Sequence, residues 1–308
     1  MNETGGDTPH DSRRDPEQVG REATDSTEAF ETGTFETGRY LFCLVSLDPP
    51  RRSHDEPGPA PEDFSTTGID DEPAYLVSID GIGAVVQHCE SLFDSDDVRQ
   101  VQRWLLTHQR VVDEAGETFG TPLPFQFDTI LQGNDAAVRD WLERTADRLE
   151  SELETFAELW EYRIQVVWAD DHLTSAVLEA NEELRSMRPG GDDVGEGTAF
   201  LREKQFAQRL ERARRARCDE LAGDLEARLD RLARSVTPLG PQRLASSIGV
   251  DDGERPEPFA RFAVLAGEDR AGEIGDELDE IAAIPGVEVT YTGPWPPYTF
   301  SPELGESA

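Results

Sequence analysis

Lysine is nearly missing from this chain: of its 29 basic residues only Lys204 is not an arginine. Cysteine is scarce as well, and Cys43, Cys89 and Cys218 are odd in number, far apart and free of any C-x-x-C spacing. That excludes a disulfide framework and a zinc knuckle. No apolar run approaches the roughly 18 residues of a spanning helix, and the polar, acidic amino terminus lacks the apolar stretch of a signal peptide. The expectation is a cytoplasmic chain with no membrane partner. Positive charge is outnumbered, with 65 acidic residues against 29 basic and a formal net charge of −36. Nucleic acid is therefore a poor partner, because phosphate binding relies on cationic side chains to displace counterions.

An unscreened charge of this size opposes compaction in dilute buffer. At about 1 M salt the Debye length falls to roughly 3 Å, and the same surface becomes tolerable and solubilising. Avoiding lysine fits that setting, since its long stem adds hydrocarbon where salt already strengthens apolar association. The composition reads as that of a halophile. With 308 residues, 36% of them hydrophobic, the chain has material for about two domains with real cores.

Residues 1–37 are rich in Asp, Glu, Thr, Ser and Gly, cannot offset the entropy of ordering, and read as a disordered acidic tail. Residues 38–168 read as the first domain. It opens with a continuous apolar run at 40–47, as expected of a strand buried on both faces. Prolines and acids from 49 to 73 read as an irregular surface insertion. Residues 75–79 and 82–87 flank Asp80-Gly81 as a hairpin. Asp94-Ser-Asp-Asp97 caps a helix that sets Val98, Val101, Leu105, His108 and Val112 on one face and stops near Gly116. Residues 121–131 alternate as a strand, its Pro122 and Pro124 suiting a sheet edge or the strand's beginning, and a helix from Asn134 aligns Val138, Leu142, Leu149, Leu153 and Phe156. The cleanest strand is 160–168, with aromatic and aliphatic residues on one side and Glu161, Arg163 and Gln165 on the other. It closes the domain, whose element order is close to a ferredoxin-like split βαβ with one additional strand.

Residues 169–308 read as the second domain. Helices are expected over about 172–186 and, past a glycine-containing loop at 189–195, over about 198–236. The later turns of the second set Cys218, Leu221, Leu225, Leu229, Leu232 and Val236 at spacings of three and four. Strands near 244–250 and at 259–266, a helix through Ile274, Leu278 and Ile281, and an alternating strand at 287–292 complete it. The fold class is α/β in the broad α+β sense: a ferredoxin-like amino-terminal domain, then a helical and α/β carboxy-terminal one.

No G-x-S-x-G, H-E-x-x-H or phosphate-loop pattern occurs, and no catalytic constellation is expected. His88 and Cys89 with Cys43 or His172 match no ligand spacing, so neither metal nor cofactor is expected. His108 reads as a core or domain-edge histidine with one hydrogen bond. Two features point to binding. Arg202, Lys204, Arg209, Arg212, Arg214, Arg215 and Arg217 crowd one stretch of helix, opposed only by Glu203 and Glu211. They suit either an internal counterpart to the acidic surface or an arginine face for an acidic partner. In Gly293-Pro-Trp-Pro-Pro-Tyr-Thr-Phe300, prolines fix an extended backbone and hold Trp295, Tyr298 and Phe300 with little entropy left to lose. These rings either anchor a partner or fold back over the final sheet. The candidate partner contacts are therefore Arg209, Arg212, Arg214, Arg215, Trp295, Tyr298 and Phe300.

The stretch V-E-V-T-Y-T-G-P-W-P-P-Y-T-F at 287–300 resembles the carboxy-terminal signature of the gas vesicle accessory proteins of the F/L family. Similar stretches recur in family order: R-Y-L-F at 39–42, P-L-P-F-Q-F-D-T at 122–129, W-E-Y-R-I-Q-V at 160–166 and G-T-A-F-L-R-E-K-Q at 197–205. The acidic tail, the Pro-rich insertion, and Phe125-Gln126 where the family often has leucine and arginine, depart from it. The resemblance implies a non-enzymatic factor in building gas-filled organelles that give buoyancy, in the cytoplasm or on the gas vesicle. It implies binding of the hydrophobic gas vesicle shell protein and other gas vesicle accessory proteins early in assembly, or persistence as a minor vesicle component. It implies the two-domain fold as well. A shell protein that faces gas is aggregation-prone before assembly, and a soluble acidic partner with rigid contacts suits holding or nucleating it. The competing reading is a ferredoxin-like small-molecule-binding regulatory module of a halophile.

Overall fold

The structure, a computed structural model, describes residues 37–47, 64–188, 196–240, 257–302 and 304. The expected acidic tail up to residue 36, most of the Pro-rich insertion, the 189–195 loop and the strand expected near 244–250 lie outside the described residues.

The hub of the first sheet is β1 (Gly38–Ser46), in which every residue from Tyr40 to Val45 is fully buried. It pairs antiparallel with β4 (Ile82–Cys89), which forms the expected hairpin with β3 (Pro73–Ile79). Beyond β3 lies β2 (Ser65–Thr67), while β5 (Leu123–Pro124) and β6 (Ile130–Gln132) pair with the other edge of β1. A register shift between Leu41 and Cys43 turns both Phe42 and Cys43 to one face. There they meet Trp104, Val111, Val112 and Phe119 of α1 (Val98–Phe119). Leu41 and Leu44 face the other way, onto Val138, Trp141, Leu142 and Leu149 of α2 (Asp135–Phe156). Each such side chain contributes roughly 1.5–3 kcal/mol on full burial, so a strand covered on both sides carries much of the unit's stability. The split βαβ is β4, α1 and β6, with β1 between the two outer strands.

Details of this unit differ from the sequence reading. The buried stripe of α1 runs through Trp104, His108, Val111, Val112, Ala115 and Phe119, which leaves Val98 and Leu105 exposed. The helix runs on past Gly116, whose missing side chain serves packing: a Cβ there would lie 3.2 Å from the Trp160 indole. The strand expected over 121–131 is divided into β5 and β6, and between them Asp128 takes a φ of 67° and accepts from the Phe93 amide at 3.0 Å.

The boundary at residue 168 is corrected by β7 (Leu159–Trp168). It does not close the first sheet. It lies inside a second, four-stranded sheet ordered β10-β7-β9-β8, paired with β9 (Ala260–Gly267) and β10 (Val287–Trp295), with β8 (Ser235–Pro238) at the far edge. Between β7 and β8 come α3 (Asp170–Ala180), α4 (Glu182–Ser186) and α5 (Glu196–Leu229), and α6 (Ala271–Ala282) joins β9 to β10. Taking the helices between β7 and β8 as one layer, this is a βαββαβ winding, so the ferredoxin-like pattern is complete in the second half of the chain. Residues from α3, α5 and α6 share one core with Tyr162, Ile164, Val166 and Trp168. The helix expected over 172–186 is two, divided at Asn181, whose side chain caps the Leu184 amide at 2.9 Å. The long helix stops at Leu229, and Val236 lies on β8, an edge strand that tolerates Pro238.

Candidate functional site

The end of β10 and the segment after it tie the two sheets together. Gly293, at a φ of 129°, presses against β7: a Cβ there would sit 2.8 Å from the Glu161 carbonyl oxygen and 2.9 Å from the Tyr162 ring. Pro296 and Pro297 are buried. The Glu161 carboxylate, fully buried, accepts from the Thr299 amide at 2.6 Å, the Thr299 hydroxyl at 2.8 Å and Arg163 Nε at 2.9 Å. Three donors satisfy a charge that would otherwise be costly in this setting. Tyr298 then packs on the core under α1, while Phe300 and Leu304 join the core under α2 together with Leu265 of β9. The rings expected either to anchor a partner or to fold back thus divide. Tyr298 and Phe300 fold back, but chiefly onto the cores flanking the first sheet rather than over the final sheet, and Trp295 stays partly exposed with its indole N–H donating to Thr292 Oγ1 at 3.3 Å.

This segment also walls a cleft of about 560 Å³ between the sheets. Its other walls are Leu105, His108 and Gln109 of α1, residues 125–127 after β5, Arg163 of β7, and Thr292 and Trp295 of β10. His108 Nδ1 lies 2.7 Å from the Tyr40 hydroxyl. Burial pushes the imidazole pKa down to about 4, opposed by the nearby Phe125 carbonyl. The ring is neutral near pH 7, and burial likewise raises the Tyr40 hydroxyl well above its ordinary value.

The basic run on α5 divides too. Arg209 reaches Glu183 of α4 at 2.8 Å, and Arg214 pairs with Asp170 at the start of α3. Arg217 bonds Glu220 at 2.5 Å and lies 6.0 Å over the Trp168 ring. Arg215 contacts Glu211 of its own helix at 3.3 Å. Arg202, Lys204 and Arg212 have no partner among the described residues. Arg212 lies between two shallow grooves, one beside α4 and one along α5. Sequence reasoning passes over the apolar residues nearby. All of 199–205 are exposed, and Phe200 and Leu201 leave 63% and 59% of their surface in solvent. Their position off the Phe206–Leu210–Leu221 core stripe is the signal that could have found them.

His88 and Cys89 at the end of β4, Cys43 within β1 and His172 on α3 do not converge. No group of three or more His, Cys, Asp or Glu able to hold a metal occurs among the described residues. No described helix is long and apolar enough to cross a membrane.

Together these features define a two-sheet α+β scaffold with an exposed basic and apolar helix end and a cleft between the sheets. The family described as Gas vesicle synthesis protein GvpL/GvpF matches residues 38–302. The chain belongs to that family, and its role is that of a gas vesicle accessory protein. It is 41% identical to Gas vesicle protein L1 of Halobacterium salinarum, with 96% of this chain and 99% of the relative covered. Gas vesicle protein L2 of the same organism is 44% identical, with 87% and 92% covered. The crystal structure of GvpF from Anabaena shares the fold at a TM-score of 0.63 and 18% identity, covering 86% of this chain and 98% of that one. The halophilic archaeal source of the first two relatives is the setting that the acidic, lysine-poor composition describes.

Proposed function

We propose that this protein binds the gas vesicle shell protein and other gas vesicle accessory proteins during vesicle nucleation in the cytoplasm, and remains as a minor vesicle component. The observation that carries this reading is the exposed start of α5, where Phe200 and Leu201 stand beside Arg202 and Lys204 with no partner among the described residues. Apolar side chains left in solvent favour association, more so in high salt. Cations left unpaired in a chain of net charge −36 select an acidic partner. Arg212 and Arg215 extend that face, Arg209 and Arg214 border it from within their ion pairs, and Trp295 offers an aromatic anchor elsewhere on the surface, with Tyr298 and Phe300 packed on the cores beyond it.

The test is co-purification in molar KCl with the shell protein and the other accessory proteins. Capture of both is expected. Arg202→Glu, Lys204→Glu and Arg212→Glu together should abolish capture while the circular dichroism spectrum stays unchanged. Unaltered capture by this triple variant would remove α5 from the reading, and a deletion strain that still makes normal floating vesicles would remove the function.

A further inference from the structure

We propose that the cleft between the two sheets binds an apolar residue bearing a free carboxylate, presented as the C-terminal residue of a partner polypeptide. The site is separate from the α5 surface and does not depend on that surface being a docking face.

Two buried groups that line the cleft, His108 Nε2 and the Tyr298 hydroxyl, have no hydrogen-bond partner among the described residues. Such orphans are uncommon in folded proteins and call for a cause. The His108 tautomer follows from its neighbours. The Tyr40 hydroxyl accepts from the Asp128 amide at 3.4 Å and has no acceptor among the described residues other than His108 Nδ1, at 2.7 Å, so it is assigned as the donor there. The neutral ring, only 4% exposed, then carries its proton on Nε2, near the Phe125 carbonyl but outside hydrogen-bonding geometry with it.

Charge selection comes from Arg163. Its Nε is held by Glu161, its side chain is 45% exposed, and its Nη atoms have no partner among the described residues. A guanidinium fixed along one edge presents the other as a planar fork, the geometry that suits a carboxylate. Between these polar groups the cleft is lined by Phe127 and Trp295, aromatic residues that suit a leucine- or phenylalanine-like body, while the Phe125 ring packs on Trp141 in the core under α2. The volume of about 560 Å³ is of ligand-site size.

The source of the carboxylate is indicated by the rim. Leu105 of α1, which lines the cleft, leaves 39% of its surface in solvent. Apolar surface thus continues outward, beyond what a free small acid would cover. A polypeptide whose last residue enters the cleft covers that rim as well.

The test is a titration of the ¹⁵N-labelled protein in molar KCl with a pentapeptide ending in leucine, read at the Trp295 indole resonance. Saturable binding of the free acid is expected, weakened about tenfold by C-terminal amidation and by Arg163→Gln, the scale of one charge-assisted hydrogen bond. Leu105→Glu puts a carboxylate at the mouth from an exposed helix position, and should weaken binding equally without touching Glu161. No saturation by the free acid, or equal affinity for acid and amide, overturns the proposal. Saturation by N-acetylleucine but not by the peptide overturns the polypeptide source.

Discussion

The central strands β1 and β7 are buried in different ways. β1 lies between two helices, with Phe42 under α1 and Leu44 over α2, and neither face is free. β7 gives Tyr162, Ile164, Val166 and Trp168 to the helical core and turns Glu161 and Arg163 the other way, toward the final segment and the cleft. The first sheet is a finished three-layer body. The second is covered by helices on one face, and its other face is where sheets, tail and cleft meet. The cleft thus lies where the second sheet lacks a second helical layer.

Four measurements break or sharpen that contrast, in order of expected size. Phe42→Ala, in the doubly covered strand, should cost about 3–5 kcal/mol in denaturant unfolding in molar KCl. An equal loss from any polar residue of β7 would erase the distinction. Next comes acid. His108 has a folded-state pKa near 4, below the ordinary 6.5, so the unfolded chain takes up the proton first. The stability of the neutral ring is present above pH 6.5 and is lost as pH falls through that value toward 4, by up to about 3 kcal/mol. His108→Gln, which cannot titrate, should have a flatter curve here, so that subtracting it from the parent's leaves a difference that falls between pH 6.5 and 4.

The third variant, Glu161→Ala, removes three accepted hydrogen bonds from the one-sided strand and leaves the Thr299 amide without its acceptor. The expected cost is about 1–3 kcal/mol, together with faster proteolysis in residues 296–302 than in the parent. Normal protection there would show that the prolines alone hold the tail. The smallest stability effect belongs to the α5 triple variant, within about 0.5 kcal/mol of the parent by the same denaturant measurement, since its residues are exposed and unpartnered.

The contrast between β1 and β7 is legible in the sequence, because a continuous apolar run and a strict alternation report two-sided and one-sided burial directly. The Asp80-Gly81 hairpin and the Asn134 cap are equally local, and both are present. Pairing partners are not local. Alternation in β7 cannot say that β9 and β10, far along the chain, flank it, so the boundary at 168 fell on the wrong side of the strand. Gly116 shows the same limit, since the Trp160 ring that requires a glycine belongs to another element. Beyond Leu229 the three-and-four spacing continues through Leu232 and Val236, yet β9 recruits Val236 into the sheet, a tertiary choice that overrides periodicity. For the candidate surfaces, the crowding of arginines is visible in the letters, but the carboxylates of Glu183 and Asp170 that engage Arg209 and Arg214 are not. The cleft was invisible, because its walls come from elements more than 100 residues apart.

The position of β7 also bears on how the chain is made. When Trp168 leaves the ribosome, neither strand that will flank β7 yet exists: Ala260 begins one and Val287 the other. At translation rates of about 5–20 residues per second, the strand waits roughly 5–20 s with both edges unpaired. The helices α3 to α5 are synthesised in that interval, ready to shelter its apolar side, while the alternating Glu161, Arg163 and Gln165 keep the other side hydrated until the closing strands arrive.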